Sequence, residues 1–193
     1  PTSSRRQRQM CIRDSSKPIF VAGSVRPGEE KIVLESYLAA KKEISDLQLI
    51  LAPRHPEVFE DMAAAISSYN LEFNRRSRGI ADKKLNVLLL DSLGELQKAY
   101  NLATCSFVGG TLVDIGGHNP LEPAACSSPV ILGPYISNVE DAVATLKENE
   151  AHLEVKNSEE LAKTVIEVLS DKVLKEQLGD ASYESAQAQR GST

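Results

Sequence analysis

The residues best suited to do chemistry lie at 109–123, GGTLVDIGGHNPLEP, where two glycine pairs precede a His-Asn-Pro turn and a glutamate. An apolar run directly before them, ATCSFV at 103–108, predicts a buried strand. A strand that delivers its C-terminal end to a glycine-rich turn opening a helix is a common nucleotide site in open α/β sheets. Asn119 and Glu122 fall at and just inside the predicted helix start, where their side chains can hydrogen-bond hydroxyl groups. A helix-capping turn without a ligand is the structural alternative.

Three further loops with polar or glycine-rich residues follow predicted strands: GSVRPGEE (23–30), PRHPE (53–57) and DSLGEL (91–96). Each has a structural explanation when taken alone. Gly23 and Ser24 would form a turn, Arg54 would pair with Glu57 at the surface, and Ser92 would form a capping box with Glu95. In a doubly wound sheet, however, the loops that follow the strands gather on one edge. The four loops are therefore predicted to lie together.

The elements that would hold these loops alternate along the chain. Short apolar runs predict strands at 18–23, 47–53, 86–91, 103–108, 129–133 and 152–155. Amphipathic stretches predict helices at 29–44, 56–67, 93–103 and 138–148, a short helix within LEPAAC, a helix capped by Ser158, and a last helix at 171–188. Residues 71–84 allow a short strand or a loop. This alternation predicts an α/β fold, a Rossmann-like doubly wound parallel sheet with helices on both faces.

Length and composition limit the classes of protein that remain. The chain has 193 residues, enough for one domain, which we place at 17–188. Residues 1–16 carry four arginines and no periodicity, and we expect a disordered or artefactual tail, with a basic arm as the alternative. A net charge of −5 argues against nucleic acid as a partner. Three widely spaced cysteines favour a reducing compartment, and no apolar stretch approaches the roughly 20 residues of a membrane span.

His55 and His118 suggest metal binding or acid–base catalysis. Two histidines from separate loops without a third ligand are a weak metal signal, so we expect donors that order the loops, with no metal and no cofactor.

Taken together, GSVRPGEE, APRHPE, DSLGEL and FVGGTLVDIGGHNPLEPAA resemble the C-terminal domain of bacterial transferases of 3-deoxy-D-manno-octulosonic acid (Kdo). The resemblance extends from Lys17 to the final helix, in the order and spacing of that family. Family members commonly have GSTH at the first motif and DTMGE at the third. Val25, Arg26, Ser92 and Leu93 depart from this pattern, which leaves the role of Arg26 open.

The resemblance implies the C-terminal, nucleotide-binding half of a GT-B glycosyltransferase that transfers Kdo from CMP-Kdo to a lipid A precursor. The acceptor site, the membrane-contacting surface and the general base would lie in an N-terminal domain that is missing here, so no catalytic residue is expected in this chain. The complete protein would work at the cytoplasmic face of the bacterial inner membrane. The implied CMP-binding residues are Pro53, Arg54, Leu93, Gly94, Glu95, Asn119, Pro120, Leu121 and Glu122, with Ser24, His55, Ser92 and His118 as additional candidates.

Three other functions remain open at this stage. A different GT-B transferase or a nucleotide-sugar epimerase would use a UDP-sugar, and a stand-alone nucleotide-binding module would not be an enzyme. A diphosphate donor would be expected to need more cationic or N–H contacts than the motifs supply, which favours CMP.

Overall fold

The computed structural model describes residues 17–192, so the predicted tail at 1–16 lies outside the described residues. Its centre is a sheet of seven strands in the order β3-β4-β2-β1-β5-β6-β7, and every neighbouring pair is parallel. The strands are β1 Ile19–Val25, β2 Gln48–Pro53, β3 Asn74–Arg75, β4 Val87–Leu89, β5 Cys105–Val108, β6 Val130–Leu132 and β7 His152–Glu154. The short strand β3 lies within the stretch for which the sequence allowed either a strand or a loop.

Helices cover both faces of this sheet. They are α1 Glu29–Glu43, α2 Phe59–Ser68, α3 Leu96–Leu102, α4 Leu121–Ala125, α5 Glu140–Glu148, α6 Ser158–Ser170 and α7 Lys172–Gly191. Along β1, Phe20 and Ala22 pack with α1, α2 and α6, while Val21 packs with α3 on the opposite face. This alternation follows from the two-residue side-chain period of a strand. The predicted doubly wound fold is confirmed.

The helix boundaries differ from the sequence predictions at two informative places. The helix predicted from residue 93 begins only at Leu96, because Gly94 has a left-handed backbone with φ of 77°. The cap of α6 is Asn157, whose Oδ1 accepts a hydrogen bond from the Glu160 N–H at 2.8 Å, and Ser158 is the first helical residue. None of the helices described at 17–192 is both long and apolar enough to cross a membrane.

Strand β1 lies where the direction of winding reverses. The chain moves from β1 to β2 on one side and later places β5 on the other side of β1. Ligands of open α/β sheets bind at such a switch point, beyond the carboxyl ends of the strands. The four loops singled out in the sequence follow β4, β2, β1 and β5, which are consecutive in the sheet, so the prediction that they share an edge is confirmed.

Candidate functional site

The loops after β1 and β5 are packed directly against each other. The Gly109 N–H donates to the Gly23 carbonyl at 2.7 Å. A Cβ atom on Gly109 would lie 2.1 Å from the carbonyl oxygen of Ser24, so only glycine allows this approach. Ser24 itself is buried and has a φ of 54°. Gly109 therefore allows the close contact between the β1 and β5 loops.

Glu29 joins the same two loops from below, and no part of it is exposed. Its Oε2 accepts hydrogen bonds from the backbone N–H groups of Arg26 and Gly110, both at 2.9 Å, and its Oε1 accepts from Leu112 at 3.0 Å. Burial raises the pKa of this carboxyl group, while the backbone hydrogen bonds act in the opposite direction. Glu29 thus fixes the entrance of α1 to the glycine-rich loop.

The loop after β2 brings Arg54 and His55 to the switch point. The Arg54 N–H donates to the Val25 carbonyl at 3.0 Å, which places this residue beside the β1 loop. The Arg54 side chain is exposed, and among the described residues it has no ion pair, so the alternative pairing with Glu57 is not formed. His55 contacts the loop after β1, where Nη1 of Arg26 lies 2.8 Å from Nε2 of His55.

His118, on the loop after β5, is influenced by the positive charges of the loops after β1 and β2. The pKa of His118 is lowered to about 4, chiefly by burial and in smaller part by the charges of Arg54, Arg26 and His55. Its backbone N–H donates to the Gly109 carbonyl at 3.2 Å. Two buried nitrogens, Nε2 of His118 and Nε of Arg26, have no hydrogen-bond partner among residues 17–192. We call the side chains of Arg26, Arg54, His55 and His118 on these three loops the cationic cluster, after its two guanidinium groups; His118 itself is neutral at pH 7.

The loop after β4 is bonded to the β3 side of the sheet. The Ser92 hydroxyl donates to Oε2 of Glu95, and Arg76 donates to Oε1 of Glu95 at 3.0 Å. These two contacts lower the pKa of Glu95, with the hydroxyl as the larger cause. Leu93 is 75% exposed. The predicted pairing of Ser92 with Glu95 exists, but Glu95 is itself the N-terminal flanking residue of α3, so Leu93, Gly94 and Glu95 do not start a helix as predicted.

The turn before α4 presents a separate group of polar atoms. Oδ1 of Asn119 accepts from the Leu121 N–H at 3.0 Å, which leaves the amide group of Asn119 as a donor. Pro120 is buried, and Glu122 is exposed in the first turn of α4. Together with the end of α7, these residues surround a cavity of about 300 Å³, lined by Asn119, Leu121, Glu122, Ala186, Gln189 and Arg190.

A sequence profile described as "Glycosyl transferases group 1" matches residues 67–185, more than half of the chain. The chain belongs to the group 1 glycosyl transferases. It is 38% identical over 177 residues to the 3-deoxy-D-manno-octulosonic acid transferase of Haemophilus influenzae, covering 91% of this chain and 42% of that protein. It is 40% identical over 156 residues to the enzyme of the same name from Aquifex aeolicus, covering 79% of this chain and 42% of that protein. The chain thus spans less than half the length of these relatives.

A solved structure agrees with both the family and the fold. The C-terminal CMP-Kdo binding domain of WaaA from Acinetobacter baumannii has a TM-score of 0.84 to this chain at 28% identity, covering 94% of this chain and 97% of that domain. The match confirms the Rossmann-like C-terminal domain of a GT-B glycosyltransferase, and the relatives confirm the resemblance to Kdo transferases.

In this glycosyl transferase domain, the sequence analysis missed the part played by Glu29. A glutamate following a glycine at a predicted helix start indicates only a favourable interaction with the helix dipole. Its three backbone contacts join loops more than 80 residues apart, with separations of 81 residues to Gly110 and 83 to Leu112. Among residues 17–192, no group of three His, Cys, Asp or Glu side chains is arranged to hold a metal ion.

Proposed function

We propose that this chain is the donor-binding domain of a glycosyltransferase that transfers Kdo from CMP-Kdo to a lipid A precursor in lipopolysaccharide biosynthesis. The observation that carries the proposal is Arg54, an exposed guanidinium without an acidic partner among the described residues, at the carboxyl edge of the sheet next to its switch point. Relatives named as Kdo transferases and a similar domain named for CMP-Kdo binding support the identity of the donor.

The chemistry of transfer gives Arg54 its role. In CMP-Kdo the single phosphate is bonded to the anomeric carbon of the sugar. When the acceptor hydroxyl attacks that carbon, the bond to the phosphate oxygen breaks, and negative charge grows on the departing CMP. A permanently charged guanidinium beside the phosphate would stabilise this charge more in the transition state than in the bound donor, which would accelerate the reaction.

The other candidate residues suit the remaining parts of the nucleotide. The Pro53 carbonyl would meet the cytosine ring, and the backbone N–H groups of Leu93, Gly94 and Glu95 would meet the base edge or the phosphate from a loop rather than from a helix start. The Asn119 amide and the Glu122 carboxylate would hold the ribose hydroxyls, on the turn formed with Pro120 and Leu121. Ser24, His55, Ser92 and His118 lie on the same four loops and are additional candidates.

The complete protein would supply what this domain lacks. We place the lipid acceptor site, the general base and the membrane contact in a preceding domain, at the cytoplasmic face of the bacterial inner membrane. The relatives support this arrangement, since the chain covers only 42% of the Haemophilus influenzae and Aquifex aeolicus enzymes.

The sequence motifs supplied few cationic contacts, which favoured a monophosphate donor over a diphosphate donor. Arg26 adds a second guanidinium near Arg54, so the charge of the site distinguishes the two donors less clearly. The test is calorimetric titration of the purified chain with CMP, UDP and GDP under identical conditions. We expect CMP to bind at least about tenfold more tightly than UDP or GDP, a difference of roughly 1.4 kcal/mol. Tighter binding of UDP would favour a transferase or epimerase that uses a UDP-sugar, and equal binding of all three would favour a general nucleotide-binding module.

A further inference from the structure

Within the part of the chain that the structure describes, two arginines at the switch point have no acidic partner. Arg26 follows β1 and Arg54 follows β2, and the Arg54 N–H donates to the carbonyl of the residue before Arg26. Two other arginines on the same sheet edge are neutralised. Arg75 pairs with Asp91 at 2.8 Å and with Glu60 at 2.6 Å, and Arg76 pairs with Glu95 at 3.0 Å. Among the residues described, Arg26 and Arg54 have no such pair.

Arg26 also presents a nitrogen that is not in use. Its Nη1 is bonded to His55, whereas its Nε is buried and has no partner within 17–192. Nε2 of His118, on the β5 loop, is buried and unpartnered in the same way. A buried polar group without a hydrogen bond is unfavourable, so such groups at a ligand edge indicate where a ligand atom belongs.

The two guanidinium groups act on the same place. The pKa of His118 is lowered to about 4, first by burial and then by the charges of Arg54 and Arg26 in turn. Contacts between the loops agree with this. Nη1 of Arg26 reaches His55, the neighbour of Arg54, at 2.8 Å, and the N–H groups of Arg26 and Gly110 donate to the same Oε2 of Glu29. The His118 ring packs against Gly110, where a Cβ atom would lie 3.2 Å from Nε2 of His118. Two like charges held close together without a counter-charge repel each other, and two adjacent anions would remove that repulsion.

We infer that Nε of Arg26 and Nε2 of His118 form a second anion subsite beside Arg54, and that this subsite takes the carboxylate of the donor sugar. The inference rests on the proposed function. In CMP-Kdo the carboxylate and the phosphate oxygen are bonded to the same anomeric carbon, so the two anions are immediate neighbours. Arg54 would hold the phosphate and Arg26 the carboxylate, which makes the cluster selective for nucleotides of acidic sugars.

A diphosphate has the same general chemistry, because two anions share one bridging atom. CDP is the probe for that source, and freshly prepared CMP-Kdo is the probe for the carboxylate, with CMP as the reference. The protein is the chain as given, with the variants Arg26→Gln and Arg54→Gln. The matched control is Arg78→Gln, an exposed arginine on the β3 side of the sheet. Melting temperatures of all variants show whether each still folds.

For Arg26→Gln we expect CMP affinity within about twofold of the unmodified chain, and CMP-Kdo affinity about tenfold lower, as for loss of a charge-assisted hydrogen bond. Arg54→Gln should weaken CMP and CMP-Kdo by similar factors, and Arg78→Gln should change neither. An Arg26→Gln variant that loses as much affinity for CMP as for CMP-Kdo would overturn the inference alone. CDP binding that is tighter than CMP binding and depends on Arg26 would also overturn it. Failure of the unmodified chain to bind CMP would instead overturn the proposed function, and this inference with it.

Discussion

At the scale of single residues, Arg54 and Glu122 offer opposite charges to the two ends of a nucleoside monophosphate. In the proposed function Arg54 contacts the phosphate and Glu122 contacts the ribose. We therefore expect Arg54→Ala to weaken CMP binding by about ten- to a hundredfold, the effect of losing one charge-assisted hydrogen bond, and to leave cytidine binding almost unchanged. Glu122→Ala should weaken CMP and cytidine by the same factor. Both comparisons can be measured by calorimetric titration.

An analogue supplies the control for this pair. 2′,3′-Dideoxycytidine lacks the ribose hydroxyls that would donate hydrogen bonds to Glu122, so its affinity should not respond to Glu122→Ala. If Arg54→Ala weakened cytidine as strongly as CMP, the phosphate assignment would be wrong, and the Pro53–Arg54 loop would have a structural role only.

His118 makes the stability of the cluster depend on pH. Its folded-state pKa of about 4 lies below the unfolded value of roughly 6.5. The unfolded chain therefore binds this proton first, so the contribution of His118 to stability is complete above about pH 6.5 and is lost as the pH falls toward 4. Compared with His118→Gln, which does not titrate, the unmodified chain should lose about 1 kcal/mol or more between pH 7.5 and pH 4.5, after allowance for solvent screening. Urea unfolding of both proteins at the two pH values measures this difference. If the difference in unfolding free energy between them were the same at pH 7.5 and pH 4.5, the depressed pKa would be wrong.

At the scale of elements, the strands and the common edge of the four loops were predictable, whereas the individual bonds between those loops were not. Continuous apolar runs such as ATCSFV have one stable place, the buried interior of a parallel sheet, so their order along the chain fixes the fold class. The start of α3 was misplaced, because a left-handed Gly94 interrupts a stretch whose composition favours a helix. The pairing of Arg26 with His55 joins residues 29 positions apart on two loops, and residue types do not show which side chains of neighbouring loops bond to each other.

Glu29 connects α1 to the β1 and β5 loops, so its substitution should lower the stability of the fold. Glu29→Gln replaces one acceptor oxygen with an NH₂ group, which faces a backbone N–H and leaves at least one buried donor unpaired. We expect a loss of roughly 1–3 kcal/mol in the free energy of unfolding. CMP affinity should fall as well, since the β1 and β5 loops lose their common anchor.

Glu30→Gln is the matched control for this change. Glu30 is the next residue of α1, and its Oε2 accepts from the Gly28 N–H at 2.7 Å in an exposed position. Water can replace that contact, so the free energy of unfolding should change by less than about 0.5 kcal/mol. Equal losses for the two variants in urea unfolding would show that Glu29 does not have this connecting role.

At the scale of the whole molecule, the cationic cluster belongs to an acidic chain of net charge −5. A local positive field at a cleft concentrates anionic ligands even when the total charge has the opposite sign. Three carboxylates near the same edge are held in other contacts. Asp91 is bonded to Arg75, Glu95 to Arg76, and Glu29 to backbone N–H groups. In the proposed function Glu122 holds the ribose, so none of these four carboxylates is assigned to accept the proton of an attacking hydroxyl.

This arrangement leads to the last prediction, that the purified chain binds CMP and does not transfer Kdo. Binding needs only the four loops, whereas transfer also needs a general base and an acceptor site, which we place in the preceding domain. Affinity for CMP should be modest, because a second domain is needed to close a GT-B cleft over the nucleotide. The measurement is incubation of the chain with freshly prepared CMP-Kdo and a lipid A precursor, with product detected by mass spectrometry. The full-length Haemophilus influenzae relative, run in parallel, shows that the assay works. Transfer by the chain at a rate comparable to that enzyme would place the base within these loops, with the exposed Glu122 as the first residue to re-examine.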